Sequence, residues 1–356
     1  MRLTFPHMGN IWVAIKAMAE KLGVDLVVPP STSQRTLSLG VKHSPETACL
    51  PFKLTLGNMI EGLELGADTV VITGLYGPCR FGYYHKVQEL ILRELGYDFQ
   101  MIKQSLGIRR MVKYLTNEAS LGDMIAGFRF GIAKLKALDA IEQLVYKIRA
   151  IERDRGSTTK IYMNAIKAID DARDTRAIKE AKQEYQLKLI SLPTIPSPNP
   201  LKIGITGEFF LIIDSYATMD IETELGKLGA EVRRPQSVAQ WVDLNLFTIF
   251  FGLREKDKSH KAATPYLSHH VGGDGWQSVG EKVLHSKDWD GLVHLEPFGC
   301  LPETIARNIM PSTKEELPVL NIIYDEHTAK AGIITRLEAF TDMIYRKKRR
   351  RVEACV

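Results

Sequence analysis

Cysteine is scarce in this chain, with four residues among 356. So few thiols, spread over the whole length, exclude a disulfide framework, and in a reducing compartment they indicate buried, catalytic or metal-binding roles. The spacing of Cys49, Cys79 and Cys300 matches neither a ferredoxin nor a zinc finger. A metal site shared by these cysteines would therefore have to be assembled by the fold.

Long apolar runs are also missing. No stretch approaches the roughly 18 apolar residues that a membrane-spanning helix needs. Residues 1–9 contain no extended apolar core of a secretory signal, so we expect a cytoplasmic protein with no membrane association. No repeat with a period of about 20 to 50 residues is visible, which argues against a solenoid.

Strong charge of one sign is confined to one segment. The formal net charge is +5, and the basic run at 346–351 contributes six positive charges by itself. We interpret this run as the solvated end of a helix, where basic side chains complement the helix dipole. We therefore expect no nucleic-acid partner.

Length and composition are those of a globular protein with two domains. Hydrophobic residues make up 45% and charged residues 25% of the chain, a composition that excludes disorder. The length of 356 residues exceeds what one hydrophobic core supports. Alternating apolar runs and helical patterns predict α/β domains at 1–106 and 201–356, each with a parallel sheet covered by helices on both faces. A helical insert at 107–190 and a proline-rich connector at 191–200 separate the two.

The tripeptide Cys-Leu-Pro begins at Cys49 and again at Cys300, in each case ahead of a helical pattern. Proline is favoured in the first turn of a helix, so both cysteines are predicted to lie at helix N-termini. There the backbone amides and the helix dipole favour the thiolate, which is the form that binds metal. Cys79 follows an apolar run at 69–73 and Cys300 follows one at 292–295, which predicts that both lie at the carboxyl edge of a sheet.

Five motifs together carry a resemblance to a known family. They are Cys-Leu-Pro-Phe-Lys at 49–53, Gly-Leu-Tyr-Gly-Pro-Cys-Arg-Phe-Gly at 74–82, Glu-Pro-Phe-Gly-Cys-Leu-Pro at 296–302, Asp-Glu-His-Thr at 325–328 and Thr-Arg-Leu-Glu-Ala-Phe at 335–340. This set resembles the 2-hydroxyacyl-CoA dehydratase D-component family, in the branch related to CoA-protein activases. The resemblance spans both predicted α/β domains.

The resemblance implies two flavodoxin-like domains, each a doubly wound parallel sheet, with a 4Fe–4S cluster in the cleft between them. By similarity, the cluster ligands are Cys49, Cys79 and Cys300. The resemblance also implies a separate ATP-dependent activator that delivers one low-potential electron. The expected chemistry is dehydration of a 2-hydroxyacyl-CoA or reduction of another resistant substrate, and acyl-CoA as the substrate is inherited from the resemblance alone.

A cluster with three protein thiolates leaves one iron open to water, sulfide, substrate or a side chain. Lys53 and Arg80 follow two of the cysteines closely, and we expect them to offset the negative charge of the cluster and raise its potential. Cys355 is not expected to be a ligand, because it lies at the very end of a basic tail. The candidates for the remaining ligand or for catalysis are Glu46, Glu296, His43, His85 and His294.

Two other functions fit the same residues. The chain could be a non-catalytic carrier or scaffold that holds a cluster for an activase complex. It could also be a zinc-stabilised binding protein that uses the three cysteines and one histidine. An iron site open to a small molecule favours the enzyme over the carrier, and stoichiometric zinc favours the third function.

Three further segments carry weaker signals. The stretch at 204–208, Gly-Ile-Thr-Gly-Glu, lacks the G-x-G-x-x-G fingerprint, and we interpret it as a turn rather than a phosphate cradle. The stretch at 268–275 could bind metal through His269 and His270, but adjacent side chains should point in different directions. We therefore predict a flexible glycine loop near the cleft. The apolar stripe at 241–251 fits either core packing or a homodimer surface.

Overall fold

A computed structural model describes residues 1–72, 79–103, 120–195, 199–239 and 258–353. The chain divides into two compact units. Unit 1 comprises Met1–Leu138, Ile169–Lys179 and Val238–Glu255, and unit 2 comprises Asp139–Ala168, Glu180–Ser237 and Lys256–Val356. The predicted domain boundaries at 106, 190 and 200 stay a prediction, and the apolar stripe at 241–251 lies outside the described residues.

Unit 1 contains a parallel sheet of three strands with order β1-β2-β3. Leu26 forms a further parallel bridge to Leu3, on the side of β1 away from β2. If the segment at Leu26 is counted as the second strand along the chain, then β2 is the third and β3 the fourth. The spatial order of strands across the sheet is then second, first, third and fourth, as in flavodoxin-like doubly wound folds. The elements are β1 (Leu3–Thr4), α1 (Ile11–Leu22), α2 (Gln34–His43), α3 (Leu50–Glu64), β2 (Thr69–Ile72), α4 (Phe81–Glu94) and β3 (Gln100–Lys103).

The crossing of α2 and α3 is close because it is made by two glycines. A Cβ at Gly40 would overlap the carbonyl oxygen of Lys53, and a Cβ at Gly57 would overlap that of Thr36. Thr36 also donates a hydrogen bond from Oγ1 to the buried carboxylate of Glu61 at 2.7 Å. Since α3 is buried along nearly all of its length, this crossing fixes the helix that begins after Cys49.

Three long helices follow the first sheet and confirm the predicted helical segment. They are α5 (Leu121–Arg149), α6 (Ser157–Asp171) and α7 (Thr175–Ile190). The first part of the predicted insert, 107–119, lies outside the described residues. After α7 the chain at 191–195 is irregular apart from an antiparallel bridge between Thr194 and Glu152, and the connector at 191–200 stays a prediction.

Unit 2 contains a parallel sheet of four strands with order β5-β4-β6-β7. This order is again second, first, third and fourth along the sheet. The elements are β4 (Leu201–Gly207), α8 (Phe209–Ile213), α9 (Ile221–Lys227), β5 (Ala230–Arg233), α10 (Lys258–Ala263), α11 (Gly275–His285), β6 (Gly291–Pro297), α12 (Leu301–Ile309), β7 (Val319–Tyr324) and α13 (Lys330–Glu353). The predicted α/β class, with two parallel sheets and a helical segment between them, is confirmed.

A buried charge network joins the helical segment to the sheet within unit 2. Arg234, which follows β5, donates from Nη1 to Glu222 at 3.0 Å and forms an ion pair with Glu142. Tyr146 donates to Glu222 at 2.9 Å, and Tyr162 donates to Glu142 at 2.6 Å. Burial raises the pKa of both tyrosines well above the ordinary value, so they act as neutral donors. Each buried charge therefore has the opposite partner that burial requires.

The basic run occupies the last turns of α13, as predicted. Arg346 pairs with Asp342 at 2.8 Å, and Lys348 pairs with Asp290 at 3.2 Å. Both arginine and aspartate of the first pair are largely exposed, which fits the interpretation of a solvated helix end. In the described parts of the chain, no helix is both long enough and apolar enough to span a bilayer.

Candidate metal centre

Cys49 is the N-cap of α3 with proline in the first turn of the helix, as the Cys-Leu-Pro motif predicts. Its buried thiol contacts the hydroxyl of Tyr84 on α4. The Tyr84 ring packs edge-on against Phe52, with the ring centroids 4.8 Å apart, and against Phe81, with the centroids 5.3 Å apart. The sulfur therefore lies beside a phenol that two aromatic rings hold in place.

Cys79 lies just before α4 and is half-buried. Its carbonyl accepts a hydrogen bond from the Gly82 N–H at 3.2 Å, so Cys79 opens the turn that leads into the helix. Arg80 donates from Nη1 to the Thr47 carbonyl at 3.2 Å, which joins this turn to the segment entering Cys49. Two of the predicted ligands are thus brought to adjoining helix starts in unit 1. Residues 73–78 of the Cys79 motif lie outside the described residues.

The other candidates in unit 1 surround these two helix starts. Lys53, on the first turn of α3, is buried and donates from Nζ to the Glu46 carbonyl at 3.4 Å. The Glu46 side chain is exposed, His43 is half-buried at the end of α2, and His85 is buried on α4. Lys53 and Arg80 therefore bind neighbouring carbonyls ahead of Cys49, and their role in offsetting cluster charge stays a prediction.

Cys300 is the N-cap of α12 and is buried, again with proline in the first turn. Its N–H donates to the Pro297 carbonyl at 2.9 Å, and its own carbonyl accepts from the Thr304 N–H at 3.0 Å. Gly299 just before it has φ of +74°, a conformation that favours glycine. The tight turn from β6 into α12 thus delivers the third predicted ligand to a helix start, as the sequence predicts.

Cys79 and Cys300 hold equivalent places in their two sheets. In this strand order the usual ligand crevice lies between the first and third strands, beyond their carboxyl ends. These strands are β1 and β2 in unit 1, and β4 and β6 in unit 2. The chain that leaves the third strand reaches Cys79 in one case and Cys300 in the other. Cys49 has no equivalent cysteine, because Asp274 is the N-cap of the corresponding helix, α11.

Two candidates in unit 2 are buried and engaged by neighbouring side chains. His294 on β6 contacts Asn321 Oδ1 through Nδ1 at 3.0 Å and Glu303 Oε2 through Nε2 at 2.8 Å. Glu296 accepts a hydrogen bond from Thr304 Oγ1 at 2.8 Å. Because Glu303 and Thr304 both belong to α12, these contacts fix the helix that begins after Cys300.

Within the described residues, no group of three or more histidine, cysteine, aspartate and glutamate side chains is arranged to hold a metal ion. Unit 1 contains Cys49 and Cys79, and unit 2 contains Cys300. A site with three thiolates would therefore need ligands from both units, as the resemblance implies.

Residues 7–238 match the model of a family described as the CoA enzyme activase uncharacterised domain (DUF2229). The chain belongs to this family. No curated protein matches the chain. The family match supports the predicted relation to CoA-protein activases, and the narrower likeness to a dehydratase D-component stays a prediction. The match includes Cys49 and Cys79 and ends before Cys300.

The match to the CoA enzyme activase domain begins at His7, a residue that the sequence pattern does not single out. His7 follows β1, at the carboxyl ends of the strands of unit 1, which we call the ligand edge. It is buried, with its ring centroid 6.4 Å from that of Trp12. Burial lowers its pKa to about 4, so the imidazole is neutral at physiological pH. A histidine three residues after a very short strand gives no periodic signal that marks this position.

Beyond the family match, the glycine stretch at 268–275 packs against the start of α12. A Cβ at Gly275 would crowd the backbone carbonyl of Pro302, two residues after Cys300. His269 Nδ1 lies 2.7 Å from the Ser268 hydroxyl, whereas His270 Nδ1 accepts from the Gly272 N–H at 3.2 Å. The two imidazoles thus have different neighbours, and the stretch lies beside the Cys300 motif.

The prediction of a turn at 204–208 is wrong, because residues 204–207 are the end of strand β4 and Glu208 is the N-cap of α8. Glu208 accepts a hydrogen bond from the Leu211 N–H at 3.1 Å, and Asp274 accepts one from the Phe209 N–H at 3.2 Å. The two acidic side chains therefore satisfy amides at the start of α8.

Glu208 is a second functional candidate that the sequence pattern does not mark. Burial, followed by the nearby charge of Asp274, raises the pKa of its carboxyl to about 8. The ligand edge of unit 2 therefore carries a largely protonated carboxylic acid at neutral pH. Its acidic neighbours are distant along the chain, so only the fold reveals the effect.

Proposed function

We propose that this member of the CoA enzyme activase domain family binds one 4Fe–4S cluster through Cys49, Cys79 and Cys300 and uses it for low-potential electron transfer. The observation that carries the proposal is that a hydrogen bond ties together the segments of unit 1 that hold Cys49 and Cys79. Cys49 and Cys79 lie at helix starts joined by the Arg80 hydrogen bond to Thr47. Cys300 holds the matching position in the second sheet.

The donor set fits such a cluster. Iron–sulfur clusters are held by cysteine thiolates, and helix N-termini such as those at Cys49 and Cys300 stabilise a thiolate. Both of these cysteines are buried, which shields a cluster from solvent. When bound, the cluster would supply one-electron chemistry at low potential, and three thiolates would leave one iron open.

A separate protein would supply the electron with hydrolysis of ATP. The sequence contains no P-loop fingerprint, and after the strand end at 204–208 the amides of Phe209 and Leu211 donate to Asp274 and Glu208. Exposed apolar side chains flank the cysteine helices in both units, as expected where another protein binds. They are Val87 and Leu90 on α4, and Phe298 and Leu301 beside Cys300.

The reaction class that follows is reductive activation of a resistant substrate, such as dehydration of a 2-hydroxyacyl-CoA, at the open iron. Two groups at the carboxyl ends of the strands, the buried His7 and the half-buried Glu208, suit proton handling there. Glu208 is a protonated acid near pH 7, with its pKa raised to about 8 by burial, and His7 is a neutral imidazole with its pKa lowered to about 4. Neither group is a thiol, so neither competes for the cluster as a sulfur ligand.

Anaerobic purification tests this function. The proposal predicts a brown protein with iron and sulfide in equal amounts, and an electron paramagnetic resonance signal that appears on reduction with a strong reductant. A partner protein of the activator type should generate the same signal only when ATP is present. A colourless protein with stoichiometric zinc would overturn the proposal in favour of a zinc-stabilised binding protein. Transfer of the intact cluster to an acceptor protein, without substrate turnover, would favour a carrier.

A further inference from the structure

We infer that Tyr84 donates a hydrogen bond to the Cys49 sulfur and thereby raises the reduction potential of the cluster. The inference rests on the proposed function, because it needs a cluster bound at Cys49. The contact between the Tyr84 hydroxyl and the Cys49 sulfur is internal to unit 1, so it involves only one of the two units.

The packing around Tyr84 leaves its hydroxyl little freedom. Its side chain is 7% exposed, with Phe52 packed edge-on and Phe81 packed at a tilt against its ring. Phe52 belongs to the same helix that Cys49 begins, so one helix places both the sulfur and the ring against which the phenol packs. The contact is therefore built by the fold rather than by a mobile surface side chain.

The direction of the effect follows from charge. Reduction adds an electron to the cluster and makes its sulfurs better hydrogen-bond acceptors, so a donor stabilises the reduced form more than the oxidised form. A hydrogen bond to a ligating sulfur therefore raises the potential. Lys53 and Arg80 bind the carbonyls of Glu46 and Thr47, whereas Tyr84 contacts the sulfur itself.

Replacing Tyr84 by phenylalanine removes the hydroxyl and retains the ring that packs against Phe52 and Phe81. The neighbouring Tyr83 on the same helix is 67% exposed, so Tyr83→Phe is a matched control with the same chemical change. We expect a midpoint potential more negative than wild type in Tyr84→Phe, measured by redox titration of the electron paramagnetic resonance signal. Tyr83→Phe should retain the wild-type potential.

A fluorinated tyrosine incorporated at position 84 provides the opposite change. Its hydroxyl is a stronger donor, so the midpoint potential should move to a less negative value than in wild type. This variant decides the matter if Tyr84→Phe fails to retain a cluster, because it keeps the hydroxyl and the ring. An unchanged or more negative potential with the fluorinated residue would overturn the inference.

The outcomes separate this inference from the function on which it rests. A cluster present in all variants, with the same potential in wild type and Tyr84→Phe, would overturn the role of Tyr84 and leave the proposed function intact. Wild-type protein without any cluster after anaerobic reconstitution would overturn the proposed function itself. Equal shifts in Tyr84→Phe and Tyr83→Phe would also count against the inference, since the solvent-exposed hydroxyl of Tyr83 should have no such effect.

Discussion

The guanidinium of Arg80 donates a hydrogen bond to the carbonyl of Thr47, with 3.2 Å between Nη1 and the oxygen. Arg80 directly follows Cys79, and Thr47 lies two residues before Cys49. One side chain therefore ties together the two segments that hold the proposed ligands of unit 1. The arginine of the Cys-Arg motif thus positions the two segments, in addition to supplying a positive charge.

Arg80→Gln should weaken binding of the cluster by unit 1. Loss of a hydrogen bond of about 1 kcal/mol corresponds to a roughly fivefold faster loss of iron to a chelator. Arg93→Gln on the same helix is the control, because Arg93 makes an exposed pair with Glu89 at 2.8 Å, away from the cysteines. Equal rates of iron loss in the two variants would count against the proposed role of Arg80.

Gly40→Ala should destabilise the crossing of α2 and α3, because the added Cβ overlaps the carbonyl oxygen of Lys53 and the backbone must move. We expect the free energy of unfolding to fall by about 1–3 kcal/mol in urea denaturation. Gly332→Ala is the control, since a Cβ there meets no atom within 4 Å and lies on the helix α13. That substitution should be neutral or stabilise the protein by up to about 1 kcal/mol. A fully stable Gly40→Ala variant would contradict the described packing.

Arg234→Met should leave the carboxylates of Glu142 and Glu222 buried without their cation. Breaking a buried ion pair by removing one partner costs about 3–5 kcal/mol, so unit 2 should unfold at a clearly lower urea concentration. The preceding Arg233, which forms a more exposed pair with Glu231, offers a matched control in Arg233→Met. Loss of less than about 1 kcal/mol in Arg234→Met would show that the network is not a stabilising element.

The Glu208 carboxyl predicts a pH dependence of stability. Burial, with Asp274 next in importance, raises its pKa in the folded chain to about 8 from an ordinary value near 4.5. Between these two values the folded state binds more protons than the unfolded state. The stability of the fold therefore decreases as pH rises from about 5 to about 8 and levels off above that.

Glu208→Gln removes this dependence while preserving an acceptor for the Leu211 N–H. The variant should be more stable than wild type at pH 8 by about 1–3 kcal/mol and equal to it near pH 4. Glu338→Gln, at an exposed position on α13, should follow the wild-type curve. Parallel curves for wild type and Glu208→Gln in pH-dependent urea denaturation would refute the raised pKa.

Much of the fold follows from local pattern. Both Cys-Leu-Pro motifs are helix starts, as predicted, because the position of proline is a local signal. The close crossing of α2 and α3 could not be predicted in this way, because Gly40 and Gly57 each face backbone of the other helix. The strand β5 likewise depends on its pairing with β4.

The site is harder to predict because equivalence in the fold is not equivalence in sequence. The repeated tripeptide suggests that Cys49 and Cys300 are counterparts, whereas the strand order makes Cys79 the counterpart of Cys300. The tripeptide indicates only that a helix begins there. The place of each cysteine in its domain depends on which strand precedes the helix. The meeting of all three cysteines at one cluster involves both units and stays a prediction.

The most direct measurement is the iron and sulfide content per chain after anaerobic reconstitution of wild type and single cysteine variants. The account predicts about four irons per chain in wild type and in Cys355→Ala. It predicts loss or degradation of the cluster in Cys49→Ala, Cys79→Ala and Cys300→Ala. A full complement of iron and sulfide in Cys300→Ala would contradict a cluster shared by the two units.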